Sequence, residues 1–232
     1  MIRRNEFGQP IGSELAGWIV RPVPTRSPMV GRLVRLEPVD VAKHGDGLFR
    51  AFAAAPDGRD WTYMPSGPFS DAASFLQHLE AQSKTEDPFH HAIVSQDEGA
   101  PLGTAAFMRI DPPNGVIEIG HIAFSPAIQR TAGATEAIFL MLCRAFDELG
   151  YRRLEWKCDA LNLRSRRAAE RLGFSFEGIF RQAMVTRGRN RDTAWYAIVD
   201  EDWAAIKARI LAWLSHDNFD ETGKQLRPLT HP

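Results

Sequence analysis

Hydrophobic and polar residues along this chain of 232 residues change their spacing several times, and each spacing predicts a type of secondary structure. A spacing of two residues, typical of a half-buried strand, predicts about seven strands. They cover residues 31–38, 90–95, 102–110, 116–124, 153–158, 176–187 and 192–199. Helical spacing and capping residues predict helices at 40–55, from Ser70 or Asp71 onward, and at 132–149, 163–172 and 202–214.

Strands outnumber helices, and the two alternate along the chain. We therefore expect an α/β (α+β) fold in which helices cover both faces of a mixed sheet. Prolines at positions 10, 22, 24 and 28 predict an extended N-terminal arm over residues 1–29, with Trp18 and Ile19 as candidate anchors. Residues 30–214 are expected to form one domain, and the polar residues 215–232 a loose C-terminal tail.

The composition, 44% hydrophobic and 25% charged, is typical of a soluble globular protein. A net charge of -1 and the lack of aromatic residues among the arginines argue against a nucleic-acid partner. Cys143 and Cys158 have neither a metal-ligand spacing nor the number needed for a disulfide framework, so no metal is expected. No apolar run is long enough to span a membrane and no signal peptide is recognisable, so the expected location is the cytoplasm.

Small residues and hydroxyl groups gather where the predicted helix 132–149 begins. The first backbone N–H groups of a helix have no partners within the helix, and its dipole favours anions there. Small side chains allow a phosphate to approach that backbone closely. The segment 129–135 is therefore a candidate phosphate site, although an ordinary helix start explains the same residues equally well.

The order of motifs from residue 117 to 181 resembles the GNAT superfamily of acetyl-CoA-dependent N-acetyltransferases. The phosphate loop of that family reads Gln/Arg-x-x-Gly-x-Gly/Ala, and the corresponding residues here are 129–134, QRTAGA. Its last helix begins Asn-x-x-Ala/Ser and is followed by Gly-Phe, as Asn162, Ser165 and Gly173-Phe174 are here. With Glu177-Gly178 and Arg181, these motifs are similar to the branch that acetylates the N-termini of ribosomal proteins.

The resemblance extends over residues 30–200 and implies a mostly antiparallel sheet that splays after its fourth strand, with acetyl-CoA in the gap. It implies acetyl transfer to an amine by direct attack and no metal. The residues that it assigns to acetyl-CoA are Ile122, Phe124, Gln129, Arg130, Thr131, Ala132, Gly133, Ala134, Thr135, Asn162 and Arg167. Ala132 and Arg130 depart from the family pattern, and Arg130 would add charge near the phosphates.

Glu118 aligns with the general base of the resembled family. A carboxylate inside an apolar strand suits a base near neutral pH, because burial disfavours its charged form. The alternative is a structural carboxylate paired with Arg109 on the neighbouring strand. His121 falls on the opposite face by the period of two, which predicts a buried structural histidine.

Ser165 is the candidate proton donor to the leaving thiolate. Many relatives use a tyrosine at the position of Ala169, and the branch that this chain resembles is thought to use the serine instead. Helix capping is the alternative role for both Ser165 and Asn162. Cys158 is read as a small buried residue rather than a nucleophile.

The acceptor is expected to be a protein N-terminus or another α-amine. An α-amine with a pKa near ~7.8 costs about 1 kcal/mol to deprotonate at pH 7, whereas a lysine near ~10.4 costs about 4.6 kcal/mol. By resemblance, Trp61, Tyr63 and Arg189 flank the acceptor. The alternatives are a small molecule such as an antibiotic or polyamine, and a non-catalytic acyl-CoA-binding module. The arm is long enough to reach a second subunit, which permits a homodimer.

Overall fold

An eight-stranded sheet with helices on both faces forms the centre of the computed structural model, which describes residues 3–229. In chain order the strands are β1 (Arg3–Arg4), β2 (Pro10–Ile11), β3 (Met29–Val30), β4 (Val34–Pro38), β5 (Phe89–Ser95), β6 (Pro101–Asp111), β7 (Val116–Phe124), β8 (Arg153–Asp159), β9 (Ser175–Thr186) and β10 (Arg189–Val199). The helices are α1 (Val41–Ala53), α2 (Ala72–Ser83), α3 (Ala132–Cys143), α4 (Leu163–Leu172) and α5 (Asp200–Leu214). All seven predicted strands and all five predicted helices are present, and β3 is the additional strand of the sheet.

The order of strands in the sheet is β3-β4-β5-β6-β7-β8-β10-β9. Every neighbouring pair is antiparallel except β7 and β8, which run parallel. That parallel pairing covers only Val116–Glu118 against Arg153–Glu155, although both strands continue beyond it. The predicted mostly antiparallel sheet that splays after the fourth predicted strand is therefore confirmed.

Alternate residues of β5 point into two separate hydrophobic clusters. Ile93 packs into the larger cluster, to which α3 and α5 contribute, and Ala92 and Val94 pack into the smaller cluster with α1 and α2. Because successive strand residues face opposite sides of a sheet, the clusters lie on opposite faces. This arrangement buries β5 completely up to its last residue, and it confirms the prediction of helices on both faces.

Capping side chains begin the helices where the sequence predicts them. Asp40 accepts a hydrogen bond from the backbone of Lys43, and Asp71 accepts one from Ser74. α3 continues beyond its last residue as a π-helical turn, Arg144–Glu148, and Gly150 follows in the left-handed region at φ 68°. No helix within residues 3–229 combines the length and apolar character needed to cross a membrane.

The segments at both ends of the chain contact the domain. The Trp18 indole donates a hydrogen bond to the Pro113 carbonyl at 3.0 Å, whereas Ile19 is exposed. After Ser215, the Asn218 side chain is buried and donates hydrogen bonds to the carbonyls of Trp213 and Arg227. Residues 1–2 of the predicted arm and 230–232 of the predicted tail lie outside the described residues.

The carboxylate of Glu136 on α3 ties this helix to the turn between β3 and β4. It is buried, and it accepts hydrogen bonds from the backbone N–H groups of Arg32, Leu33 and Val34 at 3.1, 2.6 and 2.8 Å. A Cβ added to Gly31 would lie 2.6 Å from the same carboxylate, so only glycine leaves room for this contact. The first edge of the sheet is thus anchored to the helix whose start lines the cavity.

Glu136→Gln should lower the free energy of unfolding by about 2 kcal/mol, because it removes the charge and one acceptor from buried backbone donors. Urea unfolding measures the change, with the exposed Glu98→Gln as the matched control. A loss below about 0.5 kcal/mol, the size of an ordinary surface substitution, would contradict the role assigned to Glu136.

Candidate active site

A cavity of about 1130 Å³ opens where β7 and β8 separate. Its walls come from β7, β8, the starts of α3 and α4, and the segment around Trp61. Most of the predicted site residues line it, namely Glu118, Ile122, Phe124, Gln129, Arg130, Thr131, Ala132, Ala134, Thr135, Asn162, Ser165, Arg167, Trp61 and Tyr63. Gly133 is buried beside this wall, and Arg189 lies outside the cavity.

A β-bulge interrupts β7 beside the cavity. Gly120 pairs with Ala106 of β6 and Ala123 pairs with Thr104, so that His121 and Ile122 together face only Ala105. His121 has a left-handed backbone at φ 49°, which is uncommon for any residue but glycine. The bulge breaks the period of two, and His121 lines the cavity. The prediction that this histidine lies on the face opposite Glu118 is wrong for that reason.

Glu118 is the centre of a buried ion cluster at the point where the strands separate. Its Oε2 accepts hydrogen bonds from Arg109 Nη1 at 2.6 Å and from Lys157 Nζ at 2.9 Å. Lys157 also contacts Glu155 at 2.5 Å and lies 3.8 Å from the centre of the Trp195 ring. Glu118 is thus paired with Arg109, as a structural role requires. Its carboxylate also lies in the cavity wall, as a catalytic role requires.

The start of α3 presents its backbone to the cavity. Thr131 caps the helix by accepting a hydrogen bond from Ala134 N at 3.3 Å. The preceding residue, Arg130, has a left-handed backbone at φ 63°, which turns the chain into the helix and leaves its side chain exposed. Gln129 holds this turn by donating to the Phe124 carbonyl at 2.9 Å.

The start of α4 faces the same cavity from the other side of the gap. Asn162 caps this helix by accepting a hydrogen bond from Ser165 N at 3.1 Å, as the capping alternative predicted. The Ser165 hydroxyl accepts a hydrogen bond from the Trp156 indole at 2.9 Å. Because an indole can only donate, the hydrogen of the Ser165 hydroxyl is available to another acceptor. Ala169, at the position of the missing tyrosine, is fully buried.

Cys158 also lines the cavity, but its surroundings do not activate it. Burial raises the pKa of the thiol, against a smaller lowering effect of its hydrogen bond with Ser165. A thiol must lose its proton to act as a nucleophile. Cys158 therefore stays protonated near neutral pH, in agreement with its prediction as a small buried residue.

The segment from Arg59 to Tyr63 crosses the cavity and contacts the start of α4. The Tyr63 hydroxyl donates to the Leu161 carbonyl at 3.2 Å, and Asp60 pairs with Arg164 at 2.8 Å. Arg189, which was predicted to flank the acceptor substrate, lies outside the cavity. Its Nη2 donates to the Thr62 carbonyl at 2.8 Å and so holds this segment in place.

The C-terminal segment supplies part of the wall that the sequence did not reveal. Phe219, Lys224 and Leu229 line the cavity near Arg171, whose guanidinium donates to Thr135 Oγ1 at 2.8 Å. Burial lowers the pKa of Arg171. The arginines of α4 indicate this end of the cavity in the sequence, but no local pattern indicates that residues after 215 line the cavity.

Within residues 3–229, no group of three or more potential ligands could hold a metal ion.

Glu118→Gln should lower the free energy of unfolding by about 3 kcal/mol, because it leaves Lys157 with one buried partner fewer. In the double variant with Lys157→Met, the total loss should fall short of the sum of the single losses by at least about 1 kcal/mol. Urea unfolding of the wild type, both single variants and the double variant gives this coupling. Simple additivity would show that the ion pair does not hold the two strands together.

Comparisons with known proteins agree with this arrangement. Residues 34–175, more than half of the chain, match the model of the acetyltransferase (GNAT) domain. The solved structure of a GCN5-related N-acetyltransferase from Brucella melitensis is 49% identical, covers 93% of this chain and 97% of its own, and superimposes with a TM-score of 0.91. The uncharacterized N-acetyltransferases YnaD of Bacillus subtilis and p20 of Bacillus licheniformis are 27% and 26% identical, over 63% and 61% of this chain and 84% and 81% of their own lengths. The chain belongs to the GNAT family of acetyltransferases.

Proposed function

We propose that this N-acetyltransferase moves the acetyl group of acetyl-CoA to the α-amine at the N-terminus of a protein. The GNAT domain implies acetyl-CoA as the cosubstrate and an amine as the acceptor. The choice of acceptor rests on the charge of the cavity wall. Every acidic side chain that lines it within residues 3–229 already has a hydrogen-bond or ion-pair partner.

The residues at the α3 end of the cavity fit the phosphates of acetyl-CoA. The helix start offers backbone N–H groups beside small side chains, where anions are favoured. Arg130, Arg167 and Lys224 are exposed basic residues of the same wall, and each can approach a phosphate. We assign the phosphate-binding role to this end of the cavity and the amine to the end near Tyr63.

The reaction forms a bond between the amine nitrogen and the acetyl carbon and breaks the bond between that carbon and sulfur. The bulge in β7 takes the backbone of Ile122 out of regular pairing with β6, so its N–H group is the proposed donor to the carbonyl oxygen. Such a donor, held in place before the reaction, stabilises the negative charge that develops on the oxygen.

Ser165 is the proposed donor of a proton to the leaving thiolate. Its oxygen is fixed by the Trp156 indole, and its hydrogen, which can be donated to the Cys158 sulfur, can be directed to the leaving sulfur instead. Glu118 is proposed to act from the opposite side, where its negative charge favours the amine as positive charge develops on nitrogen. The two residues lie on strands and helices of the scaffold rather than on mobile loops.

Three acidic side chains line the cavity within the described part of the chain, and each has a partner. Asp60 pairs with Arg164, Glu118 pairs with Arg109 and Lys157, and Asp159 accepts a hydrogen bond from Leu161 N. Arg191 adds further positive charge to the wall, whereas the charge of Arg59 is balanced by Asp57. A polyamine or an aminoglycoside carries several positive charges and would meet repulsion here, whereas a protein N-terminus brings one amine.

A panel of acceptors tests this proposal by thiol release from acetyl-CoA. A peptide with a free α-amine and acidic residues at its second and third positions should be acetylated. The same peptide with a blocked N-terminus and an internal lysine should not, and neither should spermidine. Faster acetylation of spermidine than of any peptide would overturn the choice of acceptor.

Ser165→Ala should lower kcat by about 10²-fold, the lower end of the range for general acid catalysis. The affinity for acetyl-CoA, measured by isothermal titration, should stay within a factor of about two because Asn162 still caps α4. Ser175→Ala, at the exposed start of β9, is the matched control and should leave both quantities unchanged. A kcat of the Ser165 variant equal to that of the control would remove Ser165 from the mechanism.

A further inference from the structure

We infer that His121 is a further catalytic residue, whose Nε2 takes the proton of the attacking amine, and that His90 is its positioning residue. The inference rests on the proposed function and identifies the immediate proton acceptor in the same cavity. Its starting point is the bulge that turns His121 into the cavity wall instead of away from it.

The hydrogen bonds behind His121 determine which of its nitrogens can accept a proton. The Thr85 hydroxyl directs its single hydrogen to the carbonyl of Gln82 or to that of Pro88, so towards His90 Nδ1, which lies 3.4 Å away, it can only accept. With Nδ1 of His90 protonated, its Nε2 accepts in the neutral ring. His121 Nδ1 lies 3.1 Å from that nitrogen and is therefore the donor.

This chain of donors leaves the lone pair of His121 on Nε2. Among residues 3–229, no hydrogen bond engages Nε2, whereas Glu118 Oε2 already accepts from two charged donors. A neutral imidazole with its other nitrogen fixed by a hydrogen bond is the usual arrangement of a histidine base. The left-handed backbone of His121 is a further sign of a functional position, because such strain concentrates at active sites.

His121 is neutral near pH 7, which is the form that a base needs. Burial lowers its pKa, and the positive charges of Arg109 on β6 and Arg191 on β10 lower it further, as does His78 on α2 when that ring is protonated. Burial also lowers the pKa of His90 on β5 to about 4, so His90 stays neutral and keeps its acceptor nitrogen. Glu118 is the acidic residue on the same strand. The base form of His121 is present above its pKa and is lost as the pH falls through it.

In the proposed step, the nitrogen of the neutral amine forms its bond to the acetyl carbon and passes its proton to His121 Nε2. The bond between carbon and sulfur breaks, and the thiolate receives a proton from Ser165, which regains one from solvent, or directly from solvent. The imidazolium then releases its proton to solvent. Amine and acetyl-CoA give amide and free CoA, and no other reactant is needed.

The test measures kcat against pH, with acetyl-CoA and a peptide bearing a free α-amine as substrates. His121→Gln should lower kcat by about 10²-fold or more at pH 7 and remove the fall in rate on the acid side of the profile. The affinity for acetyl-CoA, measured by isothermal titration, should be unchanged. His216→Gln, on the exposed turn after α5, is the matched control and should behave as the wild type.

Two variants of His90 separate positioning from packing. His90→Gln keeps an amide oxygen that can accept from His121 Nδ1, whereas His90→Phe fills the space without an acceptor. We expect the Phe variant to lose about tenfold or more in kcat and the Gln variant to recover most of that loss. Equal rates for both variants would contradict the positioning role.

The inference about His121 is overturned if His121→Gln keeps kcat within about threefold of the wild type across the pH range. It is also overturned if Glu118→Gln removes the acid limb of the profile while His121→Gln retains it, because Glu118 is then the acceptor. Failure of the proposed function looks different, since the wild type itself would then fail to bind acetyl-CoA or to acetylate any peptide.

Discussion

The ion pair between Glu118 and Lys157 lies at the point where β7 and β8 separate, and the active site depends on that separation. Below this point the two strands share regular hydrogen bonds, and above it their facing edges are free to bind a ligand. A gap inside a sheet leaves backbone groups without partners, which is unfavourable unless something else fixes the strands. Lys157, buried between Glu118 and Glu155 and packed on Trp195, fixes them at the last paired position.

The remaining parts of the site follow from this gap. It allows α3 and α4 to direct their N-terminal ends into the same cavity. The start of α3 presents exposed backbone for phosphates, and the start of α4 presents the Ser165 hydroxyl. The bulge in β7 adds the backbone of Ile122 and the ring of His121 to the same wall. The acid–base residues that we propose are therefore held by strands and helices on both sides of the gap, while Tyr63 connects the acceptor side to the loop before α4.

Local patterns in the sequence predicted the elements and the caps Asp40, Asp71 and Asn162, and the resemblance to the GNAT superfamily supplied site residues, most of which line the cavity. They did not predict the bulge, because the extra residue in β7 shows only in its pairing with β6. The period of two therefore assigned His121 to the wrong face. Lys157 was missed because its partners come from three strands, and the residues after Ser215 were missed because their contacts with Trp213 form only in the folded chain. Contacts between distant segments explain each of these omissions.

Hydrogen–deuterium exchange with and without acetyl-CoA tests most directly whether the gap between β7 and β8 is the binding site. We expect slower exchange at the free end of β7, in residues 119–124, and at the start of α3, in residues 131–135. Exchange in β9, at the far edge of the sheet, should not change. Slower exchange confined to β9, or no change at β7 and α3 under saturating acetyl-CoA, would contradict this expectation.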